Sequence, residues 1–164
     1  MILIGLALFP AGRAWAATDR TSLAVFRSWG AFREGSAEAP ARCYAISEPP
    51  PASANAGRGA FASVGSWPGR RIRAQVAIRL SHPTGDGSRV TLSIGDSAFP
   101  LIVRGQSAWA HDRRQDAAIV AAMRSGSSMS VSAVGANGNA FADAYRLRGA
   151  ASAIDAAMLA CPLR

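Results

Sequence analysis

The stretch that most clearly decides the fold is residues 112–147, which read DRRQDAAIVAAMRSGSSMSVSAVGANGNAFADAYRL. Its first part has the pattern of an amphipathic helix, because Asp112 is a good N-cap residue and apolar residues follow it at helical spacing. These apolar residues are Ala118, Ile119, Ala122 and Met123. Arg124 places positive charge in the last turn, where it complements the helix dipole. We expect the helix to end at Gly126 in the left-handed conformation that glycine permits.

Beyond the helix the apolar period shortens from about 3.6 to about 2, which predicts a β-hairpin. In its first strand, small or polar residues alternate with the apolar Met129, Val131 and Ala133. Residues 135–139 are rich in glycine and asparagine and are predicted to form the loop. The returning strand places Phe141, Asp143 and Tyr145 on one face. A helix followed by a hairpin is a packing unit, and it contains no recognisable active site.

The chain has 164 residues, which suffices for one domain with a real core. Its formal net charge is +8, and all 18 basic residues are arginine. The arginines stand singly or in pairs, such as Arg70-Arg71 and Arg113-Arg114, without any long basic block. This dispersion favours solvated surface charge, so no nucleic-acid partner is expected. An arginine-based anion-binding module remains an alternative.

The N-terminus resembles a secretory signal peptide over residues 1–16. Residues 2–11, ILIGLALFPA, form an apolar run of the right length, and Ala14-Trp15-Ala16 fits a cleavage site, although no basic residue precedes the run. We therefore expect a mature chain that starts near Ala17, is periplasmic or secreted, and carries no transmembrane segment. A buried N-terminal helix is the alternative interpretation.

Export affects the interpretation of the two cysteines, Cys43 and Cys161, which are far apart in the chain. An oxidising compartment favours a structural disulfide between them. Closing so long a loop would stabilise the fold by roughly 4–5 kcal/mol at most in the chain-entropy model. The alternative is two independent buried thiols that behave as small apolar residues.

The remaining pattern, residues 17–164, predicts a single β-rich domain with a proline-rich loop at residues 48–60. The predicted strands are residues 23–33 with a bulge or bend at Gly30, then 42–47, 62–67, 73–80, 89–94 and 98–103. Residues 81–88, SHPTGDGS, are interpreted as a hairpin connection, and Pro100 predicts an edge or bulged strand.

Residues 149–160 form a second helix by propensity, with a buried stripe expected at Ile154, Met158 and Leu159. The predicted fold class is therefore mainly β. We expect a β-sandwich-like domain with two short helices in its C-terminal third.

Catalytic patterns are incomplete. Gly95-Asp96-Ser97 is similar to the nucleophile block of GDSL-type esterases, yet no Asp-x-x-His accompanies it. The two histidines, His82 and His111, have no ligand partner at helical spacing, and we expect both to be solvent-exposed in loops. No cofactor, metal or catalytic residue is therefore predicted. A secreted hydrolase that uses Ser97 or His111 is the alternative function.

The tryptophans allow two interpretations. Trp29, Trp67 and Trp109 could form a stacking platform together with arginines. Aromatic residues in a small β domain are more often core anchors, and we expect that role for them.

Several short motifs together resemble the invasion-associated locus B family of small bacterial secreted proteins. The motifs are a Trp-Gly strand, FRSWGAFRE, a Cys strand, ARCYAIS, a helix running into RSGSSMSVS, and a terminal LRGAASAIDAA. The resemblance covers about residues 23–47 and 108–159. It implies a periplasmic or envelope-associated, non-catalytic protein. Export together with the lack of a complete catalytic set leads us to expect that the protein binds a protein or envelope partner.

This chain lacks the other cysteines of that family. Gly149-Ala150 also replaces the family's terminal Gly-Phe. The family's disulfide pattern is therefore not carried over, and an invasion role does not follow.

Overall fold

The computed structural model describes residues 19–85 and 87–162. The predicted signal peptide at residues 1–16 and the mature start near Ala17 lie outside the described residues, so both stay predictions. Within the described residues the chain forms ten strands, one 3₁₀ turn and two α-helices. They are β1 (Arg20–Phe26), β2 (Trp29–Gly35), β3 (Pro40–Ser47), β4 (Phe61–Trp67), a 3₁₀ turn (Pro68–Arg70), β5 (Ile72–Arg79), β6 (Val90–Ile94), β7 (Ser97–Arg104), β8 (Ser107–Trp109), α1 (Arg113–Ser125), β9 (Ser128–Val134), β10 (Ala140–Arg146) and α2 (Ala150–Ala160).

The strands form one sheet in the order β1-β2-β3-β4-β5-β8-β7-β6-β9-β10, and every neighbouring pair is antiparallel. We call β1–β5 with β8 the first half of the sheet, and β6 with β9 and β10 the second half. β7 joins them, because it pairs with β6 and also with β8. Both halves contribute to one core, with Trp29 and Val64 from the first and Leu92 and Val131 from the second. The mainly β, sandwich-like fold class is confirmed.

The helix–hairpin unit has the predicted elements. Asp112 caps α1, since its Oδ1 accepts a hydrogen bond of 2.8 Å from the backbone N–H of Gln115. The hairpin of β9 and β10 pairs Val131 with Asp143, which keeps the predicted apolar faces inward.

Two details of α1 differ from the prediction. Ala118 is exposed, because the buried face of α1 is rotated toward Asp116 and Val120. Gly126 is not left-handed, since its φ is −77° and its ψ is 157°. A Cβ there would lie 2.9 Å from Ile94 Cγ2, so close packing is what requires the glycine.

Residues 23–33 are two strands where one was predicted. β1 and β2 form a hairpin whose two turn residues are Arg27 and Ser28, and Arg27 has φ +60°. Gly30 is no bulge, because it pairs directly with Val25. The register instead shifts between Ser22 and Ala24. A turn without glycine or proline gives no strong sequence pattern, which is why the hairpin was missed.

The predicted hairpin at residues 81–88 is wrong. β5 pairs with β8, and β6 pairs with β7 and β9, so β5 and β6 are not neighbours. The connection instead runs beside the β7–β8 turn, where Thr84 N donates a 3.0 Å hydrogen bond to Gly105 O. Turn-forming residues predict a change of direction, but they do not determine which strand is the next partner.

β7 was predicted to be an edge or bulged strand because of Pro100. It lies inside the sheet, paired with β6 over Ser97–Leu101 and with β8 from Ile102 onward. Since β8 does not reach Pro100, the missing N–H costs no bond of that ladder. The carbonyl of Pro100 instead accepts a 2.9 Å hydrogen bond from Gln115 Nε2 of α1.

Helix α2 packs against β1, β2 and β3 from the core side. The predicted disulfide is confirmed, since Cys43 of β3 is bonded to Cys161 at the end of α2 with a Cα–Cα distance of 5.7 Å. Ile154 is buried as predicted, but Leu159 is 81% exposed and Met158 only partly buried. Two alanines, Ala153 and Ala157, are buried beside Ile154 on the face of α2 that packs on the sheet.

Candidate functional site

The outward face of the first half of the sheet carries a row of rings. We call Phe32, Tyr44 and Trp67 the aromatic ridge; they lie on the neighbouring strands β2, β3 and β4. Phe32 and Tyr44 are cross-strand partners whose rings stack at 5.7 Å between centroids. Their strand neighbours Ala31 and Cys43 are buried, so the alternation of the strands turns the ridge away from the core.

Arginines lie over this ridge. The guanidinium of Arg20 is 5.1 Å from the ring centroid of Phe32, and that of Arg42 is 4.6 Å from the centroid of Tyr44. Arg42 also forms a bidentate ion pair with Glu34, with N–O distances of 2.6 and 2.8 Å. The hydrogen bonds from Arg42 lower the pKa of the Glu34 carboxyl, despite partial burial. Glu34 is therefore ionised at neutral pH and fixes Arg42 over Tyr44.

Two glycines make room for the ridge. A Cβ at Gly30 would lie 2.7 Å from the Phe32 ring, and one at Gly65 would lie 2.8 Å from the Trp67 ring. Each ring therefore lies across the backbone of the glycine two residues earlier in its own strand. Glycine leaves the backbone exposed, and the rings cover it.

A groove of about 400 Å³ lies beside the ridge. Its apolar wall includes Val25, Phe32 and Ile46, and Val25 is 69% exposed. Arg20, Arg27 and Glu48 supply charged groups at its margin. An exposed apolar wall with charged neighbours is typical of a binding surface.

A second concavity, which we call the arginine cleft, adjoins the groove and shares Arg27 and Ser28 with it. Its volume is about 360 Å³, and it is lined by Arg27, Ser28, Arg146 and Arg148. All three arginines are exposed, and the cleft has no acidic residue among its described lining residues. The arrangement concentrates positive charge in a hollow, which favours anion binding.

The backbone around the cleft is held from several sides. Ser28 Oγ donates hydrogen bonds of 3.3 and 3.2 Å to the carbonyls of Arg146 and Arg148. The buried Trp29 donates from Nε1 to the same Arg146 carbonyl at 2.8 Å. Gly149 follows at φ +94°, and a Cβ there would overlap the carbonyl of Phe26 at 1.8 Å. Residues more than 100 positions apart in sequence are thus joined into one rigid junction.

A separate polar cluster surrounds the buried Asp143 of β10. Its carboxylate accepts a 2.8 Å hydrogen bond from Ser81 N and a 3.0 Å one from Asn55 Nδ2. Ser81 Oγ lies 2.9 Å from His82 Nδ1, and the His82 ring packs on Phe141 at 4.9 Å. The expectation that His82 is solvent-exposed is therefore wrong, since it is half-buried.

The Ser81–His82 pair does not have the arrangement of a nucleophile and its base. Ser81 is only 6% exposed, and Asp143 accepts from a backbone N–H and an amide, not from the imidazole. The cluster instead ties the loop at Asn55 and the end of β5 to β10. The alternation of β10 already placed Asp143 with Phe141 and Tyr145, and a carboxylate on an apolar face is a sequence sign of such a cluster.

Tyr145 lies next to this cluster in the core. It is 1% exposed, and its hydroxyl has no hydrogen-bond partner among the described residues. Burial raises the pKa of Tyr145 well above its usual range, and the charge of Asp143 adds to this effect. Tyr145 therefore stays neutral and serves as a core residue.

The residues proposed for a hydrolase are not assembled. Ser97 is exposed at the start of β7, and His111 is exposed before α1, as expected for a loop histidine. In the described part of the chain, neither side chain has a hydrogen bond to a base or an orienting carboxylate. His111 is held only through its backbone N–H, which donates to Gln115 Oε1 at 2.6 Å.

The tryptophans divide between the two interpretations. Trp29 is fully buried, which confirms a core anchor. Trp67 and Trp109 are half-buried on the outward face, where Trp109 pairs with Ala77 and Ile102. The core prediction is therefore wrong for these two residues, and Trp109 adds one more large ring to the outward face.

The fold and this surface define a class of protein, a disulfide-linked β domain with an outward aromatic and arginine-rich face. Comparisons with protein-family models, with curated proteins and with solved structures found no match. Residues 19–85 and 87–162 contain no group of three or more His, Cys, Asp or Glu side chains placed to hold a metal ion. Over the same residues, neither helix is long and apolar enough to cross a membrane.

Proposed function

We propose that this chain is an exported, non-enzymatic protein of the bacterial envelope, periplasmic or secreted, that binds an envelope partner. The resemblance to the invasion-associated locus B family implies the same role. One observation carries the proposal: the disulfide between Cys43 and Cys161.

The disulfide supports export because of where it lies. Both cysteines are buried, at 0% and 1% exposed, and they connect the middle of the sheet to the last helix. Such a bond contributes to the fold itself and is no surface switch. Structural disulfides persist in oxidising compartments and are rare in the cytosol. The apolar run at residues 2–11 supplies the route of export.

Binding is the activity that the surface supports. The aromatic ridge and the groove lie on the first half of the sheet, and the arginine cleft adjoins the groove where the β1–β2 turn meets the end of β10. Aromatic and arginine side chains are the residue types that dominate binding energy at interfaces. No comparable set of catalytic groups converges in the described residues, which favours binding over the hydrolase alternative.

The export part is tested by intact mass of the protein recovered from the periplasm of an expressing bacterium. We expect a chain that lacks residues 1–16 and whose two thiols react with an alkylating agent only after reduction. The control is Leu6→Arg, which interrupts the apolar run and should retain the full-length chain in the cytoplasm. A wild-type chain that stays full-length with two free thiols would refute the proposal.

The non-enzymatic part is tested with the double variant Ser97→Ala/His111→Ala. We expect the wild-type protein and the variant to give the same background rates in an esterase and phosphatase panel. A wild-type activity that this variant abolishes would establish the hydrolase instead.

A further inference from the structure

The three arginines of the arginine cleft meet through the tertiary structure alone. Arg27 belongs to the β1–β2 turn, Arg146 ends β10, and Arg148 precedes α2. The hydrogen bonds from Ser28 and Trp29 fix the backbone beneath Arg146 and Arg148. Arg27 itself has φ +60°, a conformation that costs a non-glycine residue free energy. The fold therefore holds three like charges together on a rigid base.

No ion pair among the described residues neutralises the charges of the cleft. Within the described residues, ion pairs join Arg42 to Glu34 and Arg124 to Asp155, and neither pair includes a cleft arginine. Three guanidinium groups around one hollow repel one another. A bound anion with more than one negative charge would remove that repulsion and accept several charge-assisted hydrogen bonds.

The charge of the cleft selects among anions. A carboxylate carries one negative charge, whereas a phosphate monoester carries about 1.5 to 2 at neutral pH and offers three acceptor oxygens. Three arginine forks match a phosphate monoester better than a single carboxylate. The adjoining groove adds an apolar wall at Val25, Phe32 and Ile46, directly continuous with the cleft through Arg27.

From this geometry we infer that the arginine cleft binds the phosphate monoester head group of a lipid, with the apolar groove taking the adjacent part of that lipid. β1 stands at the end of the strand order, so no further strand of the described sheet covers Val25. The choice of a lipid rests on the proposed envelope location. The phosphate chemistry rests on the cleft itself.

The inference is tested by co-sedimentation of the mature, disulfide-bonded protein with lipid vesicles. The vesicles contain phosphatidylcholine alone, phosphatidylcholine with phosphatidic acid, or phosphatidylcholine with phosphatidylserine at equal surface charge. We expect binding to phosphatidic acid, weaker binding to phosphatidylserine and none to phosphatidylcholine. Equal binding to the two anionic vesicles would mean non-specific electrostatic attraction and would overturn the inference.

Variants separate the cleft from the overall positive charge. In Arg27→Gln/Arg146→Gln/Arg148→Gln we expect about a tenfold loss of affinity for each arginine removed. A matched control, Arg58→Gln/Arg89→Gln/Arg114→Gln, removes the same charge from exposed sites elsewhere and should retain the preference for phosphatidic acid. Equal losses in both triple variants would overturn the inference. If the triple variant is unstable, the single variants Arg146→Gln and Arg148→Gln can be compared with the single variants Arg58→Gln and Arg114→Gln in the same way.

Two further measurements identify the source of the phosphate. Glycerol phosphate should compete with the vesicles, because it carries the same phosphate monoester, whereas Val25→Ser should weaken vesicle binding without changing that for glycerol phosphate. Binding of glycerol phosphate with no vesicle binding would overturn the lipid source. An exported, oxidised protein that binds neither probe would overturn the inference and leave the proposed export intact.

Discussion

The outward faces of the two halves of the sheet have contrasting side chains. The first half presents the aromatic ridge with Arg20 and Arg42 over its rings. The second half presents mostly small side chains on β6, β9 and β10, as in the cross-strand pairs Thr91–Ser132, Ser93–Ser130, Ala142–Ser132 and Ala144–Ser130, together with the larger Val134 and Arg146. Both faces point away from the same core. They differ chiefly in the large rings that the first half presents.

The alternation of side chains along a strand predicts which residues face the core, but it does not predict which outward residues form a binding surface. In both halves the inward positions are mostly apolar, with Ser66 and Asp143 as buried polar exceptions, so period 2 identifies the core equally well. At most outward positions the second half has small side chains. The first half keeps Phe32 and Trp67 at outward positions with a glycine beneath each ring, and Tyr44 of the same ridge is only 8% exposed. Outward aromatic residues over glycine are thus the feature that distinguishes a candidate binding face.

The largest expected effect concerns the disulfide, which attaches the end of α2 to β3 in the first half of the sheet. Cys43→Ala/Cys161→Ala should reduce the free energy of unfolding by about 4 kcal/mol, because the bond closes a loop with a sequence separation of 118. Urea unfolding gives the value, and adding a reducing agent to the variant should change nothing further. Amide exchange should increase most in α2 and β1–β3. Equal increases in β9 and β10 would contradict the asymmetry between the halves.

The next effect compares a glycine in the packed junction beside the arginine cleft with a glycine in the open β9–β10 loop. Gly149→Ala should cost about 3 kcal/mol or more, because it adds a clash with Phe26 O to the strain of a positive φ. Gly138→Ala, in the β9–β10 loop, has a similar φ of +80° but free space around it. It should cost only about 1 kcal/mol. Thermal unfolding of both variants measures the difference, and equal shifts would show that the junction beside the arginine cleft is not tightly packed.

A smaller effect tests the two outward faces directly. Phe32→Ala should lower stability by about 1 kcal/mol, since it uncovers Gly30 and removes the contacts with Tyr44 and Arg20. Ser132→Ala, on the second half, should change stability by no more than about 0.5 kcal/mol. Chemical denaturation of each variant provides the measurement. A larger loss of stability for Ser132→Ala than for Phe32→Ala would contradict the expected difference between the two outward faces.

The smallest effect concerns a buried charge beneath the first half. Asp116 is 7% exposed, and its Oδ1 accepts a 2.8 Å hydrogen bond from Val76 N. Burial raises the pKa of Asp116, although the bond from Val76 opposes the shift. The ionised form is thus disfavoured in the folded state. Stability falls as pH rises from the ordinary carboxyl range through the raised pKa, and this contribution is constant at higher pH.

Asp116→Asn keeps an acceptor for Val76 and removes the charge. At neutral pH it should stabilise the fold by roughly 1 kcal/mol or less, and the gain should vanish at a pH below the ordinary carboxyl range. Stability measured across pH tests this. Asp96→Asn, in the exposed β6–β7 turn, removes the same charge and should show no such gain. A gain for Asp116→Asn that did not depend on pH would contradict the assignment.

Local patterns predicted much of the fold. The cap at Asp112, the β9–β10 hairpin and the strands β3, β4 and β5 follow from short-range preferences of side chains. The errors occur where distant segments interact. The partner of β5, the inner position of β7 and the exposed side of Leu159 all depend on which element packs against which. Neighbouring residues carry no information about that choice.

The candidate site shows the same division. Phe32 and Tyr44 were recognisable as strand aromatics, but their outward orientation depends on strand register. Trp67 and Trp109 were expected in the core because large rings usually stay there. The arginine cleft could not be predicted, because Arg27 and Arg146 are far apart in sequence and neither belongs to a basic block. The arginines are dispersed along the sequence, which favoured solvated surface charge, but the fold brings three of them together in space.

By itself, the sequence determined the mainly β class and the two helices, and it favoured a disulfide over two free thiols. The first two follow from local propensity and periodicity, whereas the close approach of Cys43 and Cys161 is seen only in the tertiary structure. The tertiary structure alone decided the strand order, the junction of the β1–β2 turn with the end of β10, and hence the arginine cleft. The physical reason is that local preferences select conformations of a segment. The relative placement of segments is selected by packing and hydrogen bonds between residues that the chain keeps far apart.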